Sequence, residues 1–173
     1  MQEQGLKFTV AEPSGDESST DPSPSKRAIL NAVAKAVSVS KDFPDSLIIG
    51  ADTIVYLDGV FLGKPENPEE AVTMLVSLSG KTHSVFTGVA LLDTSTGVLM
   101  SDYEESHVKF YCLSGSVIDE YVESGEPLDK AGAYGIQGKG AALIAGYSGS
   151  WSNIVGLPTE LLSEMLRKKG YSV

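Results

Sequence analysis

Hydrophobic and polar positions alternate along this chain in two rhythms, one of strands and one of helices. The apolar run Leu47-Ile48-Ile49 stops at Gly50 and predicts a short buried strand. Asp52 and Thr53 are then expected at or just past its carboxyl end. Ile54-Val55-Tyr56-Leu57, Asp58-Gly59 and Val60-Phe61-Leu62 read as a hairpin, because Asp-Gly between apolar segments favours a type I′ turn. Its return strand is expected to bring Lys64 back toward Asp52. Residues 82–93, rich in Val, Thr and Phe, predict a long strand, and Ser95-Thr96-Gly97 turns into residues 98–100. A further strand is expected over 106–111, with Val108 and Phe110 alternating with His107 and Lys109.

Helical spacing takes over elsewhere. From Ser23-Pro24, Ile29, Ala32, Val33, Ala36 and Val37 recur at helical intervals, with Lys35 off that stripe. Asn67-Pro68-Glu69-Glu70 is a strong helix start, with Ala71, Met74, Leu75 and Leu78 inward and Gly80 as the stop. Ser114 caps a helix carrying Val117, Ile118, Tyr121 and Val122 and ending at Gly125. The last helix is expected over 158–169, with Leu161, Leu162, Met165 and Leu166 inward. Residues 6–10 form a β-like run, followed by a polar loop over 12–25. The glycine-rich stretch 125–140 reads as an ordered loop anchored by Leu128, Ala131, Tyr134 and Ile136, with a short strand over 141–145. The result is an α/β chain with no repeats and no heptads.

Composition narrows the function classes. A chain of 173 residues with 42% apolar content is sized for one globular domain, residues 1–173. No apolar run approaches the roughly 20 residues that span a bilayer, and the first residues lack the features of a signal peptide, so no membrane is expected. The single cysteine, Cys112, cannot form an internal disulfide and is read as a packing residue in a cytoplasmic protein. A net charge of −10 argues against a nucleic-acid polymer as partner. It leaves room for a small phosphorylated substrate held by local lysines.

The motifs test that idea. Gly59 to Pro65 fails as a P-loop, because three residues separate the glycines and Pro65 follows Lys64. Gly135 to Gly140 is no dinucleotide fingerprint. His83 and His107 sit at ordinary strand positions without metal-ligand spacing. Asp52 alone reads equally as a turn cap or a functional carboxylate. Lys64 alone reads as a solvated surface lysine, and Asp129-Lys130 as a surface pair. Gln137 between glycines is more suggestive, since a neutral amide reads a base edge by donor and acceptor together.

Taken in order, Gly50-Ala-Asp-Thr53, Gly63-Lys-Pro65, residues 78–89, residues 125–140 and Ser152-Asn-Ile-Val-Gly-Leu-Pro158 resemble the Maf family of nucleotide pyrophosphatases. The same module resembles the N-terminal part of acetylserotonin O-methyltransferase-like proteins. The resemblance covers nearly the whole chain. It implies an elongated Maf/inosine-triphosphatase-like α/β/α fold with a mixed sheet and a central groove. It also implies a house-cleaning enzyme that hydrolyses nucleoside triphosphates to monophosphate and pyrophosphate with a divalent cation, Mg²⁺ or Mn²⁺. The family's general base falls on Asp52, its phosphate-side lysines on Lys35 and Lys64, and an acidic residue on Glu17, with Asp52 and Glu17 as metal carboxylates. Thr53 and Gln137 fall on positions tied to substrate choice, in the form of the branch acting on dTTP and UTP. Homodimers are usual among proteins resembling this one; the sequence itself sets no oligomeric state.

One departure bears on activity. The family begins with a strand and a Ser-x-Ser-Pro-Arg-Arg loop, whereas Gln4-Gly5-Leu6-Lys7-Phe8 matches the segment after that loop. The first strand, the loop with its phosphate-clamping arginines and most of the first helix are therefore expected to be missing. Ser23-Pro-Ser-Lys-Arg27 resembles the loop in composition, but its order places it at a helix start. Two alternative readings stand: a catalytically weakened nucleotide-binding or interaction module, which predicts binding without pyrophosphate release, and an enzyme of the same fold acting on a different or modified nucleotide.

Overall fold

The structure is a computed structural model that describes residues 8–14 and 19–171. Five strands, β1 (Leu47–Leu57), β2 (Val60–Leu62), β3 (Thr82–Asp93), β4 (Val98–Phe110) and β5 (Ile144–Ser148), form one open sheet in the order β2-β1-β3-β4-β5. Five α-helices accompany them among the described residues: α1 (Pro24–Val39), α2 (Pro68–Leu78), α3 (Gly115–Glu123), α4 (Trp151–Val155) and α5 (Thr159–Lys168). This is the α/β class expected. None of the helices is long and apolar enough to cross a membrane, among the described residues.

The chain divides into two compact units, residues 1–52, 87–104 and 156–173 in the first, and 53–86 and 105–155 in the second. In the first unit, α5 buries Leu162, Met165 and Leu166 against Val89 and Leu91 of β3. Ala32 and Ala36 of α1 cover Ile48 and Ala90. The inward face of α1 is Ala28, Asn31, Ala32 and Ala36, while Val37 is 49% exposed. The buried face is therefore turned from the stripe read off the larger residues. Two glycines explain the turn. A methyl group at Gly50 of β1 would lie 2.3 Å from the Ala32 carbonyl oxygen, and one at Gly88 of β3 would lie 2.3 Å from that of Ala28. The helix backbone rests on the sheet where side chains are missing, so only alanine-sized residues fit beneath it.

That contact corrects the reading of β1. The strand does not stop at Gly50 but runs on to Leu57, and Asp52 stands inside it rather than past its end. Gly50 is there for the helix, not for a turn. The hairpin is as expected: Asp58 and Gly59 have φ of 50° and 90°, and Val55, Tyr56 and Leu57 pair with Leu62, Phe61 and Val60.

The second unit has its own core, in which α2 (Ala71, Met74, Leu75, Leu78) and α3 (Ile118, Tyr121, Val122) pack with Val85, Val108 and Phe110. Asn67 Oδ1 accepts from the Glu70 N–H at 2.8 Å, the cap its position predicts. Several expectations need correction. The strands expected at 98–100 and 106–111 are one strand, β4, that ends at Phe110. The strand expected over 141–145 is shifted to β5, because residues 138–143 coil into a 3-10 turn first. Leu128 is 40% exposed and Pro127 is buried in its stead, while Tyr134 and Ile136 anchor the loop. Cys112 is exposed rather than packed. Helix α4 carries too short an apolar pattern to stand out. Phe8, Thr9 and Val10 are exposed and lie outside any strand, and the rest of the run at 6–10 lies outside the described residues.

His83 of β3 is an ordinary strand residue with an unusual titration. It is buried at 2% exposure, with Nε2 2.6 Å from the Tyr134 hydroxyl, and its ring packs edge-on against Phe110 and Tyr134. Nδ1 has no hydrogen-bond partner, so protonating the ring would bury an unsatisfied cationic N–H. Burial, helped by the neighbouring His107, pushes the ring down to about 4 from 6.5. A base held neutral in the fold stabilises above its unfolded value, and that contribution is lost as pH falls from 6.5 toward 4, where only the unfolded chain takes the proton. Between pH 7.5 and 4.5 the loss is about 2–3 kcal/mol. His83→Gln, which keeps a partner for Tyr134, should shed most of that dependence. Chemical denaturation of both proteins at the two pH values checks it; equal pH dependence would refute it.

Candidate active site

Strand periodicity sets Ile48, Gly50, Asp52 and Ile54 on one face of β1. Gly50 draws α1 onto that face, and the helix presents Asn31 and Lys35, one turn apart, to the next position along. Asp52 is 5% exposed. Lys35 Nζ donates to Oδ1 at 2.6 Å, and Asn31 Nδ2 donates to Oδ2 at 2.9 Å. Asn31 is fixed in turn, because its Oδ1 accepts the Ser19 N–H at 3.3 Å. The amide therefore has one orientation: carbonyl toward the loop, NH₂ toward the carboxylate. The ammonium beside Asp52 is thus that of Lys35.

Asn31 escaped the sequence reading. Its signal was a lone polar residue among alanines, four residues before Lys35. Glu17, assigned by resemblance, lies outside the described residues.

Thr53, Lys64 and Gln137 belong to the second unit. The β1–β2 pairing ends at Val55 and Leu62, two residues short of Thr53 and Lys64. Thr53 is half-buried and Lys64 exposed. The carbonyl of Gly63, the residue before Lys64, accepts the Gly132 N–H at 2.9 Å. This bond ties the Lys64 turn to the glycine-rich segment. Gly132 takes a φ of 68°, and a methyl there would press on Val55 Cγ1 at 3.0 Å. Lys130 chelates the Asp129 carboxylate at 2.6 and 2.7 Å. That bond, with a smaller contribution from Lys64, holds the Asp129 carboxyl below its ordinary range. Asp129-Lys130, read from sequence as a surface pair, is an exposed pair within reach of the Lys64 charge.

Gln137 is exposed, in extended backbone, between the buried residues Ile136 and Gly140. The loop around it is fastened by Tyr121 and Glu126, neither of which the sequence reading assigned. The Gly135 N–H donates to the Tyr121 oxygen at 3.2 Å, and the Tyr121 hydroxyl donates to Glu126 Oε1 at 3.2 Å. Glu126 Oε2 accepts the Lys139 N–H at 3.0 Å, and Oε1 accepts the Gly140 N–H at 3.2 Å. Burial pushes the Glu126 carboxyl up, but these two N–H groups, the phenol and the Lys130 charge outweigh it and hold it below its usual range.

The Asp52 carboxylate keeps acceptor capacity that a divalent cation could use. Each carboxylate oxygen already accepts one hydrogen bond and keeps a second lone pair. Magnesium is commonly held by one or two carboxylates plus phosphate oxygens and waters. No cluster of three or more His, Cys, Asp or Glu side chains stands together as a closed metal cage among the described residues.

Over 174 residues the chain is 46% identical to the dTTP/UTP pyrophosphatase of Symbiobacterium thermophilum, covering 100% of this chain and 89% of that relative. It is 44% identical to the dTTP/UTP pyrophosphatase of Caldicellulosiruptor saccharolyticus, over 98% of this chain and 87% of the relative. It is 41% identical to that of Dictyoglomus thermophilum, over 100% and 91%. The profile of the Maf-like protein family matches residues 1–169, and the chain belongs to that family.

Proposed function

We propose that the protein is a nucleoside triphosphate pyrophosphatase that cleaves dTTP and UTP to the monophosphate and pyrophosphate. The observation that carries this reading is the buried Asp52 carboxylate with one oxygen on Lys35 and the other on Asn31. The names of its relatives supply the substrate class. The family match from residue 1 to 169 supports treating the chain as one Maf-like domain.

Asp52 orients and deprotonates the water that attacks the α-phosphorus. The bond to the bridging oxygen breaks and pyrophosphate leaves. Lys35, one-fifth exposed beside Asp52, and Lys64, exposed on its turn, offset the charge that builds on the phosphate oxygens. A Mg²⁺ or Mn²⁺ ion held by Asp52 and Glu17 would supply further neutralisation of the leaving group. Thr53 and Gln137 read the pyrimidine. A uracil or thymine edge offers two carbonyl acceptors flanking one N–H donor, and the Gln137 amide carries both complementary groups.

Purified protein incubated with dTTP, UTP, CTP and GTP, with either cation, should release pyrophosphate fastest from dTTP and UTP. Binding without release from any of the four would replace this reading with that of a nucleotide-binding module. Gln137→Ala should narrow the preference for dTTP and UTP over GTP by roughly tenfold, the worth of a paired polar contact. Steady-state kinetics on the same panel checks it, and an equal loss for every nucleotide would contradict base reading.

A further inference from the structure

We infer that Glu126 is a positioning residue for nucleotide selection, acting by fixing the loop that carries Gln137. The inference rests on the reading of Gln137 above and assigns what holds it. The half-buried carboxylate is bonded to the loop backbone. Its two oxygens accept the N–H groups of Lys139 and Gly140 and the hydroxyl of Tyr121, and that phenol oxygen accepts the N–H of Gly135. Gln137 is thus bracketed on both sides by backbone amides that end on one carboxylate, directly or through one phenol.

The surrounding residues make room for this carboxylate and for no larger loop. A methyl at Gly138, where φ is 66°, would lie 2.9 Å from Glu126 Oε2. One at Gly140 would lie 2.3 Å from the Gly135 carbonyl oxygen and 2.7 Å from the Tyr121 hydroxyl. The glycines are where the loop closes on Glu126 and on itself. Ile136 is buried beside Gln137, so the backbone is held from the apolar side as well. What remains free is the Gln137 side chain. An exposed amide on a flexible loop loses entropy when it grips a base; one on a fixed backbone loses less, and its geometry discriminates more sharply.

A carboxylate in a protein that takes a polyphosphate substrate repels it unless its charge is used internally. Here the N–H groups and phenol take it up, which a neutral side chain could not do for three donors at once.

The test compares Glu126→Ala and Glu126→Gln with the parent, alone and combined with Gln137→Ala. Glutamine keeps the Oε1 acceptor but cannot accept at the Oε2 position. Calorimetric titration with dTTP and with GTP in Ca²⁺ gives affinities whether or not turnover occurs, and steady-state kinetics gives KM and kcat. Glu126→Ala should reduce the dTTP-over-GTP affinity ratio about as much as Gln137→Ala does, by roughly tenfold, mainly through KM. Glu126→Gln should fall between the parent and the alanine variant. Adding Glu126→Ala to Gln137→Ala should leave the ratio where Gln137→Ala alone put it. Amide hydrogen exchange at Lys139 and Gly140 should quicken in Glu126→Ala. An unchanged ratio, a ratio that falls additively in the double variant, or unchanged exchange at those amides would overturn the inference. Absence of pyrophosphate release from the parent would sink the catalytic reading alone, since the affinity ratios and the exchange rates are read without turnover.

Discussion

Asp52→Asn should lower pyrophosphate release from dTTP by about 10³-fold, in the range seen when a general base is removed. The fold should survive. The new amide can keep its oxygen toward Lys35, but its NH₂ then faces the NH₂ of Asn31, which is committed to that orientation by the Ser19 N–H. The bond from Asn31 is lost and the ion pair with Lys35 becomes a hydrogen bond to a neutral amide, together about 2–3 kcal/mol. In a protein of this size that is a melting shift of roughly 4–10 °C. Pyrophosphate release and thermal melting measured together separate the two effects. Turnover at the parent rate would sink the assignment of Asp52 as base, and a large melting shift would show that the side chain is chiefly structural.

Gly50→Ala should cost about 3 kcal/mol, the upper end of what overpacking a tight contact costs. A methyl there would sit 2.3 Å from the Ala32 carbonyl oxygen and 3.0 Å from both the Ala36 Cβ and its backbone N. Backbone atoms cannot rotate away as a side chain can, so α1 must lift. Asn31 and Lys35 ride on the same helix face, so they leave Asp52 as it lifts. The variant should therefore lose activity under conditions where it is still folded. Urea unfolding, with kcat measured well below the transition, checks both parts. A stable variant with full activity would mean that α1 does not depend on this contact. Gly59→Ala is the control for glycine as such, since a methyl there meets nothing within 4 Å, although its φ of 90° makes some strain unavoidable.

The two substitutions mark where the sequence was legible. The hairpin, α2, β3 and α5 could be read because each is specified locally, by an Asp-Gly turn, an Asn cap, or an unbroken periodicity. The bounds of α2 match its cap and its stop at Gly80. Gly50 was misread because a glycine in an apolar run looks the same whether it ends a strand or admits a helix. Only tertiary packing decides between them. The same contact hid the role of the α1 face. Small residues carry little apolar signal, so the eye follows Ile29, Val33 and Val37, while the helix buries its alanines. At the candidate site, Gln137 stood out by its glycine flanks, whereas Asp52 read equally as a turn cap until the family resemblance singled it out. Asn31, Tyr121 and Glu126 did not stand out, because a residue that holds another has no motif of its own. Its partner is 21 positions away for Asn31 and 14 for Glu126 at Gly140.

The separate cores have a consequence for how such a protein can change. Asp52, Asn31 and Lys35 draw on the packing of Ala32, Ala36, Ile48 and Ala90, whereas Glu126, Tyr121 and the Gln137 loop draw on that of α2 and α3. Mutations that retune the loop spend stability in one reservoir and leave the helix-on-glycine contact to the other. Substitutions in residues 126–140 therefore leave the packing around the Asp52 carboxylate in place. Library selection confined to that segment should yield altered base preference more often than loss of turnover.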